Sequence, residues 1–267
     1  MLFDFRLRPL DKIESGTRGY LSWYWLTDGH YRLKVGDEFL LNCTEEFRLH
    51  CADLHPSFES TLVDYHVVRL WEDVLELLPE ILAPVPDELT EFLAAQELTL
   101  IDWNRKTHAW LQGLPETEGE CPDYQIYDLA TNWMSRRRLS LGYLRHSHDI
   151  WIWSHGDKVT ISWDSRSQNE AGIQVWSCTE GSFSMLRHVF LEELVAFNND
   201  FLSQMKERVD EICKAGGLPG IVIDVGHLER EQKEREAAME KAFGVAPESL
   251  DWNEVLYACR RLAVNFQ

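Results

Sequence analysis

The sequence predicts an α+β protein: antiparallel sheets of short strands and hairpins packed with amphipathic helices, ending in a helical C-terminal tail. Three observations carry this expectation. Strand-like and helix-like segments come in separate groups without regular β-α alternation, which disfavours a doubly wound sheet. Phe3, Phe5 and Leu7 alternate with Asp4, Arg6 and Arg8, the period-two pattern of a half-buried strand. Val67, Leu70, Trp71, Val74, Leu77, Leu78 and Ile81 recur at three- and four-residue steps, the apolar face of a helix.

After the first strand, Asp28-Gly29 lies between two apolar-rich runs and predicts a tight hairpin turn, because this pair tolerates positive φ. Val35-Gly36-Asp37-Glu38 predicts the next turn, completing a meander. In the helix that follows, Glu72, Asp73, Glu76 and Glu80 fall largely opposite the apolar stripe, and Pro79 is expected to kink or end it. The APVP segment from Ala83 to Pro86 reads as an extended connector. Asp87 is placed to cap a short helix after it. Residues 113–123 read as an exposed loop, and YDLATNWMSRRRLS as a helix with a basic end. The triple Arg136-Arg137-Arg138 is expected to complement the negative end of that helix.

HDIWIWSHGDKVTISWD is a second hairpin turning near His155-Gly156-Asp157, with GIQVWSC and GSFSMLRHVF continuing its sheet. Ile150-Trp151-Ile152-Trp153 is apolar on both faces, so the second face meets a helix, a pocket or a partner. A long helix is expected from about Leu191 to Ala215, stopped by Gly216-Gly217. A charged helix (HLEREQKEREAAMEKAFG) and a last helix from Asp251 complete the chain. Residues 1–226 are expected to form one domain and 227–267 a helical extension packed on it.

A chain of 267 residues with 45% hydrophobic residues can bury a core without disulfide or metal staples. Its net charge of −19 argues against unaided binding to nucleic acid or an anionic membrane, since both repel a polyanion. The first residues, MLFDFRLRPLDK, lack the apolar run of a signal peptide, and no stretch is long and apolar enough for a membrane span. The 6 cysteines are scattered and form no C-x-x-C pair, which fits free thiols in a reducing cytoplasm.

The acidity is local. Residues 72–123 hold 13 acids against only Arg105 and Lys106, leaving −8 on the other 215 residues. One reading is a solvated helix face; the other is a negative surface shaped for a cationic partner. Motifs for catalysis are missing: there is no Walker loop, no G-x-G-x-x-G opening a helix after a strand, and no G-x-S-x-G elbow. His146, His148, Asp149, His155 and Asp157 are a candidate metal patch, although neighbouring strand residues face opposite ways. The 11 tryptophans suit either a Trp-rich core or interface anchors.

LSWYWLTDGHY (Leu21 to Tyr31), DYHVVRLWEDVLELLPEILAPVPDEL (Asp64 to Leu89), LGYLR (Leu141 to Arg145) and VTISWD (Val159 to Asp164) resemble an uncharacterised bacterial family, catalogued as a domain of unknown function. The Y-x-VVRLWED-x-LELLP block from Tyr65 to Pro79 is its most specific piece. The resemblance implies a bacterial immunity protein, a cytoplasmic partner that neutralises a type VI-secreted nuclease toxin; it brings no established catalytic residues, because none are defined for the family, and no cofactor is expected. The charge pattern nominates Glu72, Asp73, Glu76, Glu80, Glu116, Glu118, Glu120 and Asp123 for binding the toxin. Two other readings stay open: a metal-dependent hydrolase built on the histidines, and a small-molecule-binding protein with a Trp-lined pocket.

Overall fold

The computed structural model describes residues 1–13, 21–54, 60–114, 122–146, 148–217, 221 and 223–266. Strand β1 (Phe3–Leu7) pairs antiparallel with β2 (Gly29–Val35), which turns into β3 (Glu38–Leu40). Gly36 makes that turn at φ 62°, a conformation that suits glycine. Helix α1 (Glu45–Leu54) follows, and the short β4 (Val63–Asp64) then pairs with the start of β2. Next come α2 (Val67–Leu82), α3 (Asp87–Ala95), α4 (Leu100–Gln112) and α5 (Pro122–Ser135). The second sheet is an antiparallel meander of β5 (Asp149–His155), β6 (Lys158–Asp164) and β7 (Glu180–Leu186). Helices α6 (Arg187–Ala215), α7 (Val225–Glu236), α8 (Ala238–Gly244) and α9 (Trp252–Ala263) complete the fold. The α+β class and the antiparallel sheets are those the sequence predicts.

Two apolar cores meet at β5. Ile150 and Ile152 point into the first, which α2 and α6 share with β1 and β2; Trp151 and Trp153 point into the second, under α3, α4, α5 and α9. A strand apolar on both faces is what a central layer requires, since successive side chains face opposite ways. In the first core the Trp71 indole donates to Asn198 Oδ1 (3.1 Å), and Trp23 donates to Gln232 Oε1 (2.8 Å). These two rings thus enter the core with their polar N–H satisfied, whereas the buried Trp151 and Trp163 indoles have no hydrogen-bond partner among the described residues. The C-terminal segments contribute to both cores: Leu228 and Met239 to the first, Val255, Leu256 and Leu262 to the second.

Several expectations need correction. Asp28-Gly29 is not a hairpin turn. Trp23 and Leu26 are both buried, and this three-residue spacing winds Trp25–Thr27 into a 3-10 turn. Gly29 is already in β2 opposite Leu7, where a Cβ would collide with the Arg6 carbonyl; the glycine serves close approach rather than positive φ. GIQVWSC is not a strand: between β6 and β7 the chain makes only isolated bridges, including Cys43 to Trp176 and Gln168 to Gln174. RHVF opens α6 instead of extending β7, so the long helix begins at Arg187. The charged C-terminal helix breaks at Ala237 into α7 and α8. Pro79 lies within α2, which ends at Leu82 inside one turn of it, its last bond running from Ala83 N–H to Pro79 O. Asp87 does not cap α3; Pro86 takes that position, and the Asp87 carboxylate meets His155 Nε2 at 2.7 Å.

Candidate functional site

Helix α2 is buried on most of its circumference. Arg69, Glu72, Glu76 and Glu80, spaced three and four apart, carry its least buried stripe. Glu76 is exposed. Glu72 is half-buried and paired with Arg235 (2.7 Å) and Arg69 (3.3 Å). The other two acids of this segment are not on an open face, contrary to the sequence expectation. Glu80 lies 3.6 Å from the buried Arg137 and accepts the Glu248 N–H (2.9 Å). The Asp73 side chain is only 1% exposed, because α2 turns it away from the stripe and under Tyr143. A group so enclosed cannot meet a partner directly. Glu116, Glu118 and Glu120 lie outside the described residues, and Asp123 is half-buried in the first turn of α5. The structure therefore brings Glu72 and Glu76 together and separates Asp73, Glu80 and Asp123 from them.

What joins Glu72 and Glu76 is a groove of about 580 Å³ between α2 and the α7–α8 pair. Its floor is apolar, with Leu75 and Pro79 from α2 and Ala238, Ala242 and Val245 from the other side. Glu231 and Glu234 face Glu72 and Glu76 across it, against Arg235 and Lys241 as the cations. Arg235 closes one end, held by Glu72 (2.7 Å) and Glu231 (3.2 Å), with its guanidinium 4.3 Å from the Trp23 ring centroid. An apolar floor between carboxylates can seat an apolar side chain and attract a cationic one beside it. Glu231 and Glu234 were invisible as site residues in the sequence, because only α7 folding back beside α2 places them there.

Asp73 anchors a second cluster. Tyr31 and Tyr143 hydroxyls are 3.2 Å apart, Tyr65 stacks on Tyr143 at 4.8 Å, and Tyr24 and Tyr65 hydroxyls are 3.4 Å apart. The Asp73 carboxyl lies in the same cluster with its Oδ2 buried and without a hydrogen-bond partner among the described residues, and Arg69 lies 3.7 Å from its other oxygen. Burial pushes the Asp73 pKa up to about 7, an effect the neighbouring Tyr143 and Arg69 only partly offset. Burial likewise raises Tyr31 and Tyr143 above the ordinary phenol value. Three of the blocks that carry the family resemblance thus meet here: Tyr24 and Tyr31 from the first, Tyr65, Arg69 and Asp73 from the second, Tyr143 from the third. Tyr65 and Tyr143 tie the entry of α2 to the segment before β5, so this cluster fixes the helix that forms one wall of the groove.

The histidine patch does not assemble. His148 is buried, accepts the Leu41 N–H at Nε2 (3.2 Å) and meets Ser165 Oγ at Nδ1 (2.6 Å). Burial lowers its pKa to about 3, so it is a neutral core hydrogen-bonding group. His146 packs edge-on to Phe47, while His155 pairs with Asp87. Among the described residues no three His, Cys, Asp or Glu side chains are grouped to hold a metal ion. Also among them, no helix is long and apolar enough to cross a membrane.

The profile of a family described as "Family of unknown function (DUF5984)" matches residues 2–258. No curated protein and no solved structure matches the chain.

Proposed function

The chain belongs to the DUF5984 family, and we propose that it is a bacterial immunity protein that binds and neutralises a cognate secreted toxin, a type VI-delivered nuclease, in the cytoplasm. The observation that carries this reading is the apolar groove flanked by Glu72, Glu76, Glu231 and Glu234. A nuclease must present a cationic surface to hold phosphates. A negative protein surface attracts such a surface at long range and speeds encounter before the toxin reaches nucleic acid. Charge alone does not hold a complex, because exposed ion pairs contribute roughly 0–1 kcal/mol each. Apolar anchors sealed from water supply the rest. The groove offers both: carboxylates for steering and an apolar floor for an anchor. The resemblance of the Tyr65 to Pro79 block points to the same region, since that block forms one wall.

The test is a charge reversal. Glu76→Lys with Glu234→Lys is expected to slow association with the purified toxin domain by about tenfold at low salt and to flatten its salt dependence. Stopped-flow measurement at two ionic strengths reads both. An unchanged rate at low salt would remove this groove from the interface.

A further inference from the structure

The outer face of the β5–β7 sheet changes character across its width. At β5 it presents Trp151 and Trp153, covered by the helices of the second core. On β6 and β7 the same face presents Thr160, Ser162, Ser182 and Ser184, in cross-strand pairs Thr160–Ser184 and Ser162–Ser182. The helical layer stops short here and leaves a cleft of about 460 Å³ between α3–α4 and the strands. That volume lies within the roughly 300–1,000 Å³ range of small-molecule sites. Leu93, Leu98 and Ile101 line the helix side, Trp153 and Trp133 the inner wall, and Thr160, Ser162 and Ser182 the floor, with Thr160 paired to Ser184 (2.8 Å) and Ser162 accepting the Trp153 indole N–H (3.5 Å).

The charges at its end are already matched. Arg105 donates to Asp164 (2.8 Å) and to Glu180, while Arg166 also pairs with Asp164 (3.1 Å). Asp102 is engaged in the capping box with Thr99. An anionic ligand would have to take Arg105 from two carboxylates and sit beside Asp102 and Glu180. A neutral ligand meets no such cost. Tryptophan and leucine walls favour a flat ring, and hydroxyls, which both donate and accept, suit an edge carrying mixed hydrogen-bonding groups.

We infer that this cleft is a binding site for an uncharged heteroaromatic molecule, its ring against Trp153 and its polar edge on Ser162 and Ser182. This stands apart from the toxin-binding reading, for it uses a different face of the molecule. The probes are quinoline-3-carboxamide and pyridine-3-carboxamide, each compared with its carboxylate, in saturation-transfer NMR and titration of the full chain. The carboxamides are expected to bind at least tenfold more tightly than the carboxylates. Ser182→Trp, which fills the cleft from the exposed floor, is expected to weaken them at least tenfold, while Ser182→Ala, which removes one hydroxyl without filling the cleft, weakens them less. Ala94→Trp fills the cleft from the opposite wall and serves if the first variant does not fold. No binding by either carboxamide, equal or tighter binding of the carboxylates, or binding indifferent to a filling substitution would overturn the assignment.

Discussion

Arg137→Met is expected to lower the unfolding free energy by about 3–5 kcal/mol, the range for removing one partner of a buried ion pair. The Arg137 side chain is 1% exposed and holds three groups at once. Nη1 donates to the Trp133 carbonyl at the end of α5 (2.7 Å), and Nη2 donates to the Ala83 carbonyl just past α2 (3.0 Å). Glu80, 3.6 Å away and 13% exposed, is left facing uncompensated protein when the guanidinium goes. The Arg137 carbonyl accepts the Ile152 N–H of β5 (2.8 Å), so the strand shared by both cores is registered here as well. Urea denaturation followed by circular dichroism reads the effect. Adding Glu80→Gln should recover part of the loss, because the stranded charge is then gone. A loss within 1 kcal/mol would show that the pair contributes no more than a surface bridge.

Asp73→Asn is expected to stabilise the protein at pH 8 by about 2–4 kcal/mol and to have little effect at pH 4. The folded-state pKa of about 7 lies above that of an unfolded aspartate. Between pH 4 and 7 the native state therefore holds a proton that the unfolded state has released. Stability from this group is present at low pH and is lost as pH rises through 7. Asparagine imitates the protonated form and does not pay for ionisation under Tyr143. Glu72 and Glu76 add to the upward push, and Arg69 opposes it. His148 acts in the opposite sense: buried and neutral, it contributes stability that is lost as pH falls below about 6.5, the ordinary imidazole value. The difference between the variant and the parent isolates Asp73, and unfolding curves at pH 4, 6 and 8 measure it. A difference independent of pH would contradict the raised pKa.

Local patterns were legible where local interactions decide. The Phe3-Phe5-Leu7 alternation became β1, the stripe from Val67 to Ile81 became α2, and Gly216 stops α6 in the left-handed conformation. Asp251 caps α9 by accepting from Asn253 and Glu254 N–H groups. The failures have tertiary causes. Trp23 and Leu26 override the turn signal of Asp28-Gly29 because both enter the core. Asp73 and Glu80 sit among the acids of an amphipathic pattern, yet Tyr143 and Arg137 lie far away in sequence and draw them inward. The candidate groove was half legible: Glu72 and Glu76 stood out by charge density, whereas Glu231 and Glu234 reach it only through the packing of α7 and α8.

The central claim is that this surface binds a cognate toxin, and co-expression with the product of the adjacent upstream gene tests it most directly. Survival of the cells, together with a complex that co-purifies and is weakened by Glu76→Lys with Glu234→Lys, is the expected result. Continued killing together with failure of the two proteins to co-purify would contradict it.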